Sequence, residues 1–210
     1  DGLLHDMAVG GSWTAEFRNQ IVRSAISLGR KFDFDETHAR NVAELARKLF
    51  DQLRDEHHLD SRFEVILFVA ALLHEIGLIV NVRSNHKHAL YLIRNSDLFG
   101  LSKGELLQVG LVARYHRRAA PQPGHEGYGT LPQEERVVVS KLAAMLRLAI
   151  AMDDTRSGRI RDIACSKEDK QLVINVPGVD DVSLEQIAMR ENSLLFRDIF
   201  GMGVLLRAGK

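Results

Sequence analysis

The fold is decided by residues 64–77, which read EVILFVAALLHEIG. Wound as a helix, this segment is apolar on every face, and a helix that is apolar all round must be buried inside the protein. We therefore expect a central helix around which the others pack, with Gly77 as its C-terminal cap. His74 and Glu75 would then lie at the end of the most buried helix, where a carboxylate is costly unless it meets a cation or a strong hydrogen-bond donor.

Helical periodicity continues on both sides of this segment. Apolar positions recur with helical spacing from Thr14 to about Arg30. Asp35 is a good N-cap for the next helix and places His38 in the first turn of that helix. The remaining predicted helices span residues 86–93, 103–115 and 134–153.

From residue 159 onwards the pattern changes. Two short runs that favour extended structure, residues 160–165 and 171–176, predict a β-hairpin. Residues 183–200 predict a helix capped by Ser183, and residues 203–207 predict a third strand. These elements are too few to be stable alone, so we expect them to pack on the helical body.

The composition is that of a soluble globular protein, since 45% of the 210 residues are hydrophobic and 27% are charged. No apolar run is long enough to span a bilayer, and the N-terminus lacks the basic-then-apolar order of a signal peptide. The single cysteine, Cys165, excludes an intrachain disulfide and fits a reducing compartment. We therefore expect a cytoplasmic protein without a membrane segment.

Positive charge is concentrated in one segment although the whole chain has a net charge of zero. Residues 83–118 carry seven basic and two acidic side chains, which gives a local net charge of +5. This pattern fits either a solvated helical surface or a face that binds phosphate groups. No specific nucleic-acid partner is expected. The candidate phosphate-binding residues are Lys87, Arg94, Arg114, Arg117 and Arg118.

Histidines and acidic residues follow one another at the ends of the predicted helices. A metal that activates water needs neutral imidazoles and carboxylates that converge from separate elements. A His at a helix start, a His-acid pair and a late Asp are together typical of metal-dependent phosphohydrolases of the HD type. The candidate ligands of a first divalent metal (Mn, Fe or Mg) are His38, His74, Glu75 and Asp153, and those of a second metal are His88 and His116.

Other interpretations of these residues stay open. Histidines near helix ends often satisfy backbone carbonyl groups without any metal. The acid of the pair is Glu75 rather than Asp, and its extra C–C bond moves the carboxylate about 1.5 Å outwards. That shift could displace the metal or leave a salt-bridged cluster without one. A further pair, His57 and His58, falls in a polar loop, where we expect both side chains to be exposed.

Three blocks of sequence carry a more specific resemblance. They are LLHEIG at residues 72–77, HKHALYLIRNSDL at residues 86–98 and VARYHR at residues 112–117. These blocks resemble the C-terminal region of the exopolyphosphatase / guanosine pentaphosphate phosphohydrolase (Ppx/GppA) family. The resemblance covers roughly residues 14–210 and is strongest over residues 70–118.

The resemblance implies that catalysis belongs to a pair of N-terminal actin-like domains that use Mg, so whether this chain is itself an enzyme stays open. It also implies a module that grips polyphosphate or guanosine pentaphosphate and supports a homodimer. The expected fold class is mainly α, an HD-like helical bundle followed by a small α+β appendage. The expected organisation is a connector from the actin-like domains over residues 1–13, an HD-like domain over residues 14–158 and a small C-terminal domain over residues 159–210.

Three functions are therefore in competition. The favoured one is a binding module that holds polyphosphate on the basic segment while the actin-like domains hydrolyse phosphoanhydride bonds. The first alternative is an independent, metal-dependent HD phosphohydrolase. The second alternative is a purely structural dimerisation domain.

Overall fold

The structure is a computed structural model that describes residues 15–209. Its helices are α1 (Ala15–Lys31), α2 (Glu36–Gln52), α3 (Arg54–His57), α4 (Phe63–Leu73), α5 (Asn85–Arg94), α6 (Lys103–Arg114), α7 (Gln133–Met152), α8 (Ser183–Asn192) and α9 (Leu194–Phe200). A 3-10 turn spans Ile76–Ile79, and the strands are β1 (Ala164–Glu168), β2 (Gln171–Val176) and β3 (Gly203–Ala208). The predicted fold class, mainly α with a small α+β appendage, is confirmed. The predicted connector, residues 1–13, lies outside the described residues.

The centre of the helical body is α4. Every residue from Val65 to Leu73 is buried, and α4 packs against α1, α2, α6 and α7. Burying a large aliphatic or aromatic side chain contributes about 1.5–3 kcal/mol, so the nine buried residues of α4 contribute substantially to the stability of this body. The predicted central helix is thereby confirmed.

The end of α4 differs from the prediction. The helix stops at Leu73 with His74 as its C-cap, and Gly77 lies in the following 3-10 turn. The glycine is needed there because the turn passes very close to α5. A Cβ atom on Gly77 would lie 2.2 Å from the carbonyl oxygen of Asn85 and 2.7 Å from the amide nitrogen of Ala89.

The first strand of the appendage begins later than predicted. Residues 160–163 are not a strand, because side chains of α2 take their carbonyl groups. Asn41 donates to the Ile160 carbonyl at 3.2 Å and Gln52 donates to the Ile163 carbonyl at 2.9 Å. The hairpin therefore starts at Ala164, where β1 pairs antiparallel with β2, and β3 pairs parallel with the other edge of β2.

The predicted helix over residues 183–200 is two helices. Ser193 has a ψ of −6°, which departs from the helical value, and serine disfavours helix interiors. The predicted cap at Ser183 is also wrong. Val182 precedes the first helical residue, while the Ser183 hydroxyl donates to Asp181. Both helices pack against α7, which joins the appendage to the body.

The expectation for His57 is wrong, and the reason is a local hydrogen-bond network. The ring is fully buried, donates from Nε2 to the Phe50 carbonyl at 2.8 Å and accepts from the Leu59 amide at Nδ1. His58 is exposed, as expected. Over residues 15–209, no helix is both long and apolar enough to cross a bilayer.

The close approach at Gly77 predicts that Gly77→Ala loses about 1–3 kcal/mol of the free energy of unfolding, as overpacked cores do. Urea unfolding measures this loss. The matched control is Gly104→Ala in the first turn of α6, where a Cβ meets its nearest atom at 4.0 Å. That variant should be neutral or slightly stabilising. Equal stabilities for the two variants would contradict the close approach.

Candidate functional site

Three buried histidines meet where helices begin and end. Asp35 caps α2 by accepting the His38 amide at 3.0 Å, and this fixes His38 in the first turn. His74 ends α4 and His116 follows α6. The ring centroids are 5.7 Å apart for His38 and His74, and 5.2 Å apart for His74 and His116. Three separate elements therefore bring their imidazoles together. The sequence predicted the order of these histidines along the chain but not the distances between their rings.

The hydrogen bonds of these rings fix their tautomers. Nδ1 of His74 lies 2.6 Å from the Ala71 carbonyl, and Nδ1 of His116 lies 2.6 Å from the Ala113 carbonyl. A carbonyl oxygen only accepts, so each Nδ1 carries the proton and each Nε2 carries a lone pair. This confirms that both rings satisfy helix-end carbonyls. It also leaves Nε2 in the state that binds a metal.

Burial keeps these two rings neutral. It lowers the pKa of His74 to about 4 and lowers the pKa of His116 well below its usual value. Nε2 of His74 is buried and has no hydrogen-bond partner. A buried acceptor without a partner is costly, so this atom is available to a Lewis acid or to a donor.

The ligand atoms of His38, His74 and Glu75 converge. One atom from each lies within 4.8 Å of the other two, close to the span of about 4 Å set by metal–ligand distances near 2.1 Å. Two imidazoles and a carboxylate suit Mn or Fe better than Mg, which prefers oxygen ligands. The residues present therefore fit a divalent metal, which would supply Lewis-acid activation of water.

Asp153 lies behind His38. Its Oδ2 accepts from Nδ1 of His38 at 2.8 Å, and its Oδ1 accepts from the Gly158 amide at 2.9 Å. Both carboxylate oxygens are thus engaged. This contact places a proton on Nδ1 of His38, so a metal would bind that ring at Nε2, and fixing the ring in this way is the usual role of a carboxylate next to a metal-binding histidine.

Glu75 is paired with an arginine that sequence reasoning did not single out. The Arg156 guanidinium lies 2.6 Å from Oε1 of Glu75 and 3.3 Å from Oδ2 of Asp35. Burial would raise the pKa of the Glu75 carboxyl, but His74 and Arg156 together lower it below its usual range. Glu75 therefore forms a salt bridge with Arg156 in this structure, and whether it also reaches a metal stays a prediction.

His88 lies apart from this cluster. Its Nε2 lies 2.9 Å from the hydroxyl of Ser84, the N-cap residue of α5. Among the described residues, it does not join the group of three converging ligands. The second metal, with His88 and His116 as ligands, stays a prediction.

Four of the five predicted phosphate-binding residues lie close enough to His86 for their charges to affect its pKa. Burial lowers the pKa of His86, and the positive charges of Arg117, Arg114, Lys87 and Arg118 lower it further. We call these four residues the basic cluster. The fifth, Arg94, is instead 3.4 Å from the carboxylate of Glu126. Four of the five candidate residues therefore act electrostatically on His86, whereas Arg94 is paired with Glu126.

Two arginines hold the backbone of this surface in place. NH2 of Arg117 donates to the carbonyls of Val82 and Arg83 at 2.6 and 3.2 Å. Arg147, almost fully buried in α7, donates to the carbonyls of residues 115, 118 and 119. Burial lowers the pKa of Arg147 to about 10. These hydrogen bonds fix the loop that carries Arg117 and Arg118.

Unsatisfied polar atoms are concentrated in the same region. Among the described residues, the buried side-chain atoms without a partner are His74 Nε2, Asn85 Oδ1, His86 Nδ1 and Arg117 Nε. Arg117 follows His116 in the chain and contacts the loop before Asn85. A region with so many unpaired polar groups is suited to a polar ligand.

Sequence reasoning missed two residues of this site. Arg147 had a signal, because it is a lone charge inside the apolar run of α7, and a buried charge needs partners. Arg156 had none, since its partners lie more than eighty residues away in the sequence for Glu75 and more than a hundred for Asp35.

The hydrogen bonds from Arg147 to residues 115–119 predict a local effect of Arg147→Met. Three carbonyls lose a charged donor, so amide hydrogen exchange over residues 115–119 should rise and the free energy of unfolding should fall by about 1–3 kcal/mol. The matched control is Arg136→Met, because Arg136 caps the carbonyls of Leu131 and Gly129 instead. Unchanged amide hydrogen exchange over residues 115–119 in Arg147→Met would contradict a role of Arg147 in fixing this loop.

Comparison with known protein families supports the family resemblance described from the sequence. The family model described as Ppx/GppA phosphatase, domain III, matches residues 22–197, which is most of the chain. This match confirms the resemblance carried by the blocks around His74, His86 and His116. The chain therefore belongs to the Ppx/GppA phosphatase family and corresponds to domain III of that family.

Proposed function

We propose that this chain is the polyphosphate-binding module of an exopolyphosphatase-like protein, with the basic cluster as the contact surface. The observation that supports the proposal is that Lys87, Arg114, Arg117 and Arg118 all lie close enough to His86 to lower its pKa, and that Lys87 and Arg118 are exposed. Four cations at one place attract a linear polyanion much more strongly than the same charges spread over a surface.

The geometry of the cluster supports binding rather than chemistry. Lys87 and Arg118 are exposed, so their charged groups can reach phosphate oxygens. Burial and the positive charge of Arg118 lower the pKa of Arg117, while the negative charge of Glu75 opposes this shift. Arginine guanidinium groups form two parallel hydrogen bonds with phosphate. Binding releases counterions from the polyanion, which makes affinity depend steeply on salt.

A metal-dependent HD phosphohydrolase is the second candidate function. The unpaired Nε2 of His74 favours it, and His38, His74 and Glu75 would hold the metal. Asp153 would orient His38 for that purpose. The Arg156–Glu75 ion pair weighs against it, because the guanidinium competes with a metal for the only carboxylate of the converging set.

Polyphosphate binding is tested with Lys87→Ala combined with Arg118→Ala. We expect the affinity for a fluorescently labelled polyphosphate to fall by roughly tenfold or more, since one charge-assisted contact contributes about 1.5 kcal/mol. The slope of log affinity against log salt should also become shallower by about 1–2. Fluorescence anisotropy at several salt concentrations measures both, and guanosine pentaphosphate serves as competitor. Arg117 is left intact because it holds the backbone of Val82 and Arg83.

The control is Arg94→Ala combined with Lys103→Ala. It removes the same charge from the same segment, at two exposed positions outside the basic cluster. Its affinity and salt slope should stay close to those of the unmodified protein. Equal losses in the two double variants would mean that only overall charge matters, and the cluster would lose its role.

A further inference from the structure

We propose that Arg156 is a built-in cation that closes the His38–His74–Glu75 site to metal ions, so that neutralising Arg156 creates a transition-metal site. This inference concerns the histidine cluster and is independent of polyphosphate binding by the basic cluster.

The Arg156 guanidinium lies between the carboxylates of Glu75 and Asp35. Arg156 contacts Oε1 of Glu75 at 2.6 Å and Oδ2 of Asp35 at 3.3 Å. Glu75 follows His74 at the end of α4, and Asp35 caps the turn of α2 that bears His38. The guanidinium therefore spans the two elements that present the imidazole ligands. It carries positive charge to the carboxylate that a metal would need.

The loop that bears Arg156 is built for this contact. Arg156 has a φ of +54°, a left-handed conformation that side chains other than glycine rarely adopt. The Gly158 amide is held by Asp153, and Arg159 is paired with the buried carboxylate of Glu185 at 2.5 Å. Both flanks of Arg156 are thus anchored, and its conformation is imposed by the fold.

The other two candidate metal ligands, His74 and His38, are not neutralised by Arg156. Arg156 satisfies Glu75, but Nε2 of His74 stays buried and unpaired. Asp153 accepts a hydrogen bond from Nδ1 of His38, which leaves Nε2 as the atom that would bind an ion. Two imidazoles are therefore oriented for an ion, while the carboxylate between them is neutralised by a side chain. The Arg156 side chain is 43% exposed and Glu75 is 18% exposed, so the ion pair closes the site on its solvent side.

Cobalt(II) is the probe, because its visible absorption reports coordination directly. Arg156→Ala and Arg156→Gln should each bind one Co(II) per chain, at least tenfold more tightly than the unmodified protein. Arg156→Lys keeps the positive charge and should stay close to the unmodified protein. Adding His74→Ala to Arg156→Gln should abolish the absorption. Arg40→Ala removes an exposed arginine that pairs with Glu36 on α2 and should change nothing.

Urea unfolding of each variant establishes that it is folded. The proposal is overturned if the unmodified protein and Arg156→Gln bind Co(II) with equal affinity, since Arg156 would then not compete. It is also overturned if folded Arg156→Ala and Arg156→Gln both fail to bind Co(II). Polyphosphate affinity should be the same in Arg156→Gln and the unmodified protein, so failure here leaves the basic cluster unaffected.

Discussion

The complete burial of α4 is the constraint on which the rest of the site depends. A helix that buries every residue from Val65 to Leu73 can place polar side chains only at its ends. His74 and Glu75 therefore emerge where other elements must supply partners. The Ala71 carbonyl takes one nitrogen of His74, and Arg156 takes one oxygen of Glu75. Nε2 of His74 is left without a partner, and it is therefore the atom of the cluster that can bind a ligand.

Three arginines have different roles in this region, and the role depends on whether the partner is a backbone carbonyl or a carboxylate. Arg147 is buried without a carboxylate and satisfies its donors with backbone carbonyls, which shapes a loop. Arg117 does the same from the surface and keeps Nε unpaired. Arg156 faces carboxylates and neutralises them. The planar guanidinium, with five donors, suits all three tasks, whereas lysine would serve as a point charge only.

Local signals predicted much of the fold and part of the site. The apolar run of α4 predicted the central helix, and the Asp35 cap predicted the position of His38, because both depend on near neighbours in the sequence. Long-range contacts explain what could not be predicted. Residues 160–163 favour a strand, yet side chains of α2 hold their carbonyls. Gly77 fits a helix cap by pattern, yet α5 lies against it. The positive φ of Arg156 depends on anchors on both sides of its loop.

The buried carboxylate of Glu185 has a consequence for how the chain divides into parts. Glu185 belongs to α8, and it binds Arg159 and Thr155 in the loop that follows α7. The hydrogen bonds of Glu185 therefore join residues on both sides of residue 158. A substitution that displaces α8 would break the hydrogen bond between Glu185 and Thr155, the residue that directly precedes Arg156. Through this contact the appendage reaches the loop whose arginine pairs with Glu75.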